Sequence, residues 1–403
     1  MPRRTSPATC AVLAGALCAG LLFACVSPAP LRETSPVRIG IYADLSSTGA
    51  GDGADAVRGA TLRVNLANDA GGLGGRRVEL VPVDARQSTA DAVKAFSRLA
   101  QQEGACAVIG AAGPGVDVAV SPVADLSRVA LVSLGMDDRV ALPDLVPGQP
   151  DKTGSARRYA FLAQASAAQS ASAMAAYAAA HLPASRYATL YDAARPLSVL
   201  QARSFESAVR RLRGQLVASV PMAEGDLPAV GASLHQSGAE AVYICASTES
   251  AARAARAVRA AVPSMILLGN QAWGPPMASV AGAAVNGAWF TAPYAPDDPS
   301  LREAGSPLSA RSPEDFRPYA AAAWDAVSVI LAAVRKAGTS NPVPVRDALE
   351  QASGFKILQG TLDMDRATHR PLNPVVAVMH ILDGEYRTDN PRYVLKGSRV
   401  PQP

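Results

Sequence analysis

The sequence predicts an α/β protein of two Rossmann-like lobes, each built on a parallel sheet. Three observations lead there. The chain has 403 residues, 49% hydrophobic and 18% charged, which is enough apolar material for a large core and for about two or three domains. From residue 37 onward, short β-branched runs alternate with longer segments of helical spacing, the pattern of right-handed βαβ units. The alternation pauses at 136–156, around Pro143, Pro147, Pro150 and Gly154, and then resumes, giving two halves of similar plan.

The elements follow in order. VRIGIYA at 37–43 is a strand. Ala56, Val57, Ala60, Val64 and Ala67 recur at helical spacing over 54–69. Asn68-Asp69-Ala70-Gly71-Gly72 stops that helix, because glycine accepts the left-handed cap. A strand at 76–84 and a helix at 89–103 follow, the latter with Val93, Phe96 and Leu99 on one face. Next come a strand at 105–110, a helix at 116–127 and a strand at 129–135. The second half reads as strands at 158–164, 186–192, 215–222, 239–246 and 264–270, with helices at 167–181, 198–213, 226–237 and 249–261. Arg253, Arg256 and Arg259 recur every third residue, which suits a solvated helix face. After 287–299 and a polar loop to about 314, helices are expected at 315–337 and 343–352. The end reads as a hairpin or meander, with turns at 363–370 and at Asp383-Gly384.

Several chemistries are missing from the sequence. There is no GxSxG elbow, CxxC or HExxH, and the four histidines are scattered. AVIGAAGPGVD places three glycines after a strand, but not as GxGxxG, and no Walker lysine follows. Asp137-Asp138 and Asp297-Asp298 are expected to be solvated turn residues. No enzyme, cofactor or metal site is therefore expected. Setting aside Arg3 and Arg4, 36 basic residues face 34 acidic ones, so there is no basic excess for nucleic acid. Cys106 and Cys245 sit in short apolar runs. They read as two buried thiols or, in an oxidising compartment, as a disulfide.

The N-terminus has the pattern of a secretory leader. Arg3 and Arg4 precede an uncharged run over 8–24, shorter than the ~20 residues a membrane span needs. Leu22-Phe23-Ala24-Cys25 resembles a bacterial lipobox, although Phe23 stands where a small residue is usual. The expectation is a signal peptide at 1–24, lipidation at Cys25 and a tether at 25–36. An ordinary leader with an incidental cysteine is the other reading. No other stretch is long and apolar enough to span a bilayer, so the mature chain is expected to be exported, lipid-anchored on the outer face of a bacterial membrane or periplasmic.

From 37 to about 390 the chain resembles the type I periplasmic binding proteins of the branched-chain amino-acid-binding group of ABC transporters. The residues that carry the resemblance are the strand at 37–43, the Ser46-Ser47-Thr48-Gly49 loop, the Arg58-Gly59 pair, Asn68-Asp-Ala-Gly-Gly, SPVADLSRVALVS at 121–133, ILLGNQAW at 266–273, and the end at Asp383-Gly384-Glu385-Tyr386. The resemblance implies a solute-binding protein that closes over a small polar or amino-acid-like ligand and then docks on ABC permease subunits. An alternative on the same fold is a ligand-sensing or cell-envelope regulatory module. The family's three crossings imply one lobe of 37–157 plus 292–352 and another of 158–291 plus 353–394.

The family's amino-acid contacts transfer incompletely. The loop that usually offers serines to the ligand carboxylate is Ala111-Ala112-Gly113-Pro114-Gly115 here. The next is Gly135-Met136-Asp137, where an anionic Asp137 would repel a carboxylate. The usual acidic partner of the ligand ammonium is replaced by Gly269-Asn270-Gln271, and a tyrosine by Ser247 or Thr248. An unpaired buried charge is costly, so the resemblance implies a ligand other than a standard branched-chain amino acid. The candidate ligand residues are Ser47, Thr48, Gly113, Pro114, Gly135, Met136, Asp137, Arg195, Ser247, Thr248, Gln271 and Trp273. Arg195 would supply a cation for an acidic ligand, or be a surface arginine. Trp273 and Trp289 would stack on a ligand or pack in the core, and Trp324 is expected in the core.

Overall fold

A computed structural model describes residues 34–395, apart from 48–50, 87, 114, 223–226, 304–307 and 309–315. The expected leader, Cys25, most of the tether, Thr48 and Pro114 lie outside the described residues. Both lobes belong to the unit Ser35–Pro403. No described helix is long and apolar enough to cross a membrane.

The first sheet contains β1 (Val37–Ala43), β2 (Val78–Asp84), β3 (Ala107–Ala111), β4 (Ala130–Ser133) and β5 (Ala160–Leu162). They lie in the order β2-β1-β3-β4-β5, all parallel. β1 shows why both faces are covered. Val37, Ile39, Ile41 and Ala43 point into one core, with α1 (Gly51–Asp69) and α10 (Pro318–Ala337). Tyr42 points into the other, with α2 (Thr89–Gln101) and α3 (Val116–Ser127). Successive side chains of a strand alternate between faces, so burial at every position from Ile39 to Ala43 fits a sheet with helices on both sides. α11 (Pro342–Glu350) completes the first of these cores.

The second sheet holds β6 (Arg186–Asp192), β7 (Gln215–Met222), β8 (Ala241–Cys245), β9 (Ile266–Gly269), β10 (Ala288–Ala292), β15 (Val375–Leu382) and β16 (Glu385–Val394). Their order is β16-β15-β10-β9-β8-β6-β7. β6 to β10 pair in parallel, and β15 and β16 add an antiparallel edge. α4 (Ala167–His181) and α5 (Pro196–Arg211) cover one face. α6 (Leu227–Ser237), α7 (Thr248–Ala261) and α8 (Pro276–Ala281) cover the other, and α9 (Pro299–Glu303) follows β10. Between α11 and β15 lie two hairpins, β11 (Phe355–Ile357) with β12 (Gly360–Leu362), and β13 (Met364–Asp365) with β14 (Arg370–Pro371).

The chain passes between the sheets three times, but two passages lie elsewhere than the sequence suggests. The strand expected to open the second lobe is β5, and it pairs with β4 through Leu131↔Ala160 and Ser133↔Leu162. Segment 353–371, expected in the second lobe, packs on the first: Phe355, Leu358, Leu362 and Met364 join its core. His369 stacks on Phe161 of β5 at 4.3 Å. The first passage therefore follows β5, and the third follows β14.

Three of the four neighbouring carboxylates are also not solvated turn residues. Asp138 is fully buried and pairs with Arg370, while Asp298 is 3% exposed and pairs bidentately with Arg392 at 2.5 and 2.8 Å. Asp137 is buried too; among the four, Asp297 alone is exposed. Nor is the arginine row on α7 a purely solvated face. Arg259 donates to the carbonyls of Pro263, Met265, Ala284 and Asn286, and Arg256 to that of Val280. Cys106 and Cys245 are buried free thiols, and burial pushes the Cys106 pKa up to about 12.

One buried acid makes stability depend on pH. Asp325 on α10 is 1% exposed and accepts from Tyr294 Oη at 2.9 Å and Leu358 N at 2.7 Å. Burial outweighs both donors and raises its pKa to about 7, against roughly 3.9 in an unfolded chain. The folded pKa is the higher one, so the stability tied to this group is complete below about pH 4. It is lost as pH rises through about 7. Asp325→Asn imitates the protonated form. It should flatten the urea-midpoint profile between those two values and raise stability above them. A profile as steep as that of the wild type would contradict this assignment.

Candidate functional site

Where β3 and β4 end, the first sheet opens onto a cavity of about 260 Å³. In open parallel sheets the carboxyl ends of the strands are the usual ligand face. The first lobe contributes Gly110, Ala111, Gly113, Gly115, Asp117, Ser133 to Asp137, Val140 and Gln164. From the second lobe come Leu197, at the start of α5, and Gln271, just after β9. Pro293 follows β10, and Pro318, Tyr319 and Ala322 open α10. The walls are mostly apolar with a few polar groups, the usual make-up of a small-molecule pocket.

The most buried acid in the wall is Asp117, in the first turn of α3 and 4% exposed. Tyr42 Oη donates to its Oδ1 at 2.5 Å, and Ser133 Oγ donates to its Oδ2. Ser133 Oγ in turn accepts from Gly135 N at 3.0 Å. Gly110 permits this closeness: a Cβ there would stand 2.5 Å from Tyr42 Oη and 2.6 Å from both Asp117 oxygens. Burial raises the Asp117 pKa, and the neighbouring Asp137 adds to the effect, against the two hydroxyl donors. Burial and the Asp117 charge also lift the Tyr42 hydroxyl well above its ordinary value.

Asp137 has its own cation. Arg139 grips it bidentately, Nε to Oδ1 at 3.0 Å and Nη2 to Oδ2 at 2.7 Å, while Asp137 also accepts the Arg139 backbone N–H. The repulsion expected from an anionic Asp137 is thus largely offset inside the protein. Two amides complete the polar lining. Gln164 is 8% exposed; its Nε2 donates to Leu134 O, and its Oε1 is buried without a hydrogen bond. Across the cavity, Gln271 Oε1 accepts from Gln201 Nε2 at 3.0 Å, and Gln201 Oε1 accepts from Asn270 Nδ2 at 2.8 Å. This relay sets which way the Gln271 amide faces.

Of the residues singled out from sequence, the cavity brings together Gly113, Gly135, Met136, Asp137 and Gln271. The other described candidates stand elsewhere. Ser47 bonds Asp44 through its backbone N–H and its hydroxyl. Arg195 is exposed and pairs with Asp192 at 3.2 Å. Ser247 caps α7, and Thr248 Oγ1 donates to Ala272 O at 2.9 Å. Trp273 is fully buried in the second core, where its Nε1 donates to Ile244 O at 3.3 Å. Trp289 stacks on His380 at 3.7 Å, and Trp324 is buried on α10. Asp117 and Gln164 escaped the sequence reading. An acid in a first turn reads as a partner of the helix dipole, and an isolated glutamine carries no signal.

The profile of a family described as periplasmic binding protein matches residues 36–385. A comparison with curated proteins finds no match. Among solved structures, the chain is similar to a leucine-binding protein from Thermotoga maritima, with 20% identity, 88% of this chain and 97% of that one covered, and a TM-score of 0.69. It is also similar to the branched-chain amino-acid transporter substrate-binding protein of Streptococcus pneumoniae in complex with isoleucine, at 21%, 89%, 99% and 0.68. A third is an ABC transporter substrate-binding protein from Desulfitobacterium hafniense in complex with leucine, at 17%, 88%, 99% and 0.71. At these identities the likeness establishes the fold. The chain belongs to the periplasmic binding protein family, a solute-binding class, and carries its two-lobed type I architecture.

Proposed function

We propose that the protein is the extracytoplasmic solute-binding component of an ABC importer. It captures a small ligand in the cavity by hinge closure and delivers it to permease subunits. One observation carries this reading: the cavity wall is shared between the lobes, with Gln271 and Leu197 on one side and the Gly135-Met136-Asp137 loop on the other. Ligand contact with both sides favours the closed arrangement. Removal of residues 1–24 and lipidation at Cys25 would hold the protein at the outer face of the membrane. The altered loop after β3, without hydroxyls, supports a ligand other than leucine, isoleucine or valine.

A thermal-shift screen of amino acids, amides, amines, aromatic and dicarboxylic acids and sugars tests this. A ligand at 100 times its Kd should stabilise the fold by about 2.7 kcal/mol. Leu197→Trp would fill the cavity from the second lobe at a half-buried position, and should abolish the shift of every hit. Hits that survive this substitution, or no hit in the whole panel, would count against capture in the cavity.

A further inference from the structure

We infer that the cavity is built for a ligand that presents a cationic, hydrogen-donating nitrogen on an apolar body and lacks a free carboxylate. The inference rests on the reading of the cavity as the capture site and names its ligand class. Asp117 lines the cavity and is 4% exposed, and each of its oxygens receives one hydrogen bond, both from neutral hydroxyls. A carboxylate oxygen accommodates about two donors, so each retains acceptor capacity. The wall thus offers the Asp117 oxygens to its occupant, and no lysine, arginine or histidine is among its described lining residues.

The Arg139 guanidinium, beside the lining loop, is held bidentately by Asp137. The first turn of α3, where helix N–H groups would favour an incoming anion, already contains the protein's own Asp117. A ligand carboxylate would enter beside the Asp117 carboxyl, whose hydrogen bonds come from neutral hydroxyls. A protonated amine or amidine would instead bring a positive charge and further donors to the Asp117 oxygens, opposing the burial that raises the Asp117 pKa. The remaining lining suits an apolar body: Leu134, Met136, Val140, Leu197, Pro293 and Pro318.

The test is a calorimetric comparison of probes that share one side chain: leucinamide, isoamylamine, leucine and isovalerate. Leucinamide and isoamylamine should bind, leucine at least tenfold more weakly than leucinamide, and isovalerate not at all. In Asp117→Asn, which keeps the side-chain shape, leucinamide affinity should fall about a hundredfold and the disadvantage of leucine should shrink. Leucine binding as tightly as leucinamide, binding of isovalerate, or sugars as the only ligands would overturn the ligand class and leave capture standing. Failure of both amines to bind, or unchanged leucinamide affinity in a folded Asp117→Asn, overturns it equally. If that variant does not fold, the ranking of the four probes on the wild-type protein still decides.

Discussion

Gly59→Ala should destabilise the protein by about 3 kcal/mol, the upper part of the usual range for overpacking. A Cβ on Gly59 would lie 2.0 Å from the carbonyl oxygen of Ala320 and 2.6 Å from its Cα. The obstacle is backbone, not the movable end of a side chain, so α1 and α10 would have to separate. Alanine in a helix interior gains about 1 kcal/mol over glycine in intrinsic propensity, and here the clash should outweigh that gain. Gly51→Ala, in the same helix but with nothing within 4 Å of the new Cβ, is the control and should be neutral or slightly stabilising. Urea midpoints of the two variants measure the difference. A Gly59→Ala protein as stable as the wild type would mean that the helices do not approach as closely as described.

Arg370→Met should cost about 3–5 kcal/mol, the penalty for leaving a buried charge without its partner. Asp138 is fully buried and accepts from Arg370 Nη1, from Ser166 Oγ at 2.5 Å and from Ala168 N at 3.1 Å. Ser166 caps α4, just after the first passage between lobes, and Arg370 stands just before the third. The pair therefore ties two connecting segments to the loop after β4. Asp138→Asn combined with Arg370→Met removes both charges and should recover part of the loss, as shown by the coupling in a double-mutant cycle. Additive effects of the two substitutions would contradict a direct interaction.

Much of the fold was legible because its signals are local. The β-branched run of β1 and the helical spacing of α1 needed no tertiary knowledge, and neither did the terminal turn, where Asp383 and Gly384 both adopt positive φ. The Arg58-Gly59 pair, noticed as part of a resemblance, has a steric reason in the contact with Ala320. The lobe of β5 was not legible. Three residues buried on both faces read alike in either sheet, and pairing with β4 is a long-range choice. The acids failed as solvated turns for a similar reason: Arg370 is 232 positions from Asp138, and Arg392 is 94 from Asp298.

The site was legible in outline only. The loops at the ends of β3, β4 and β9 were identified, because strand ends face ligands in this architecture. Arg195 and Trp273 were misplaced because sequence gives a loop position but not a side-chain direction. One lies out in solvent beside Asp192 and the other in the second core. Asp117 is one acid among several at helix starts, and what distinguishes it is the space that Gly110 leaves for it beside Tyr42 and Ser133.

On the proposed function, the protein holds its ligand in the space between the two sheets. The most direct measurement is a calorimetric titration of the strongest thermal-shift hit into wild-type protein and into Leu197→Trp. One site is expected in the wild type and none in the variant. An unchanged site in a folded Leu197→Trp protein would contradict it.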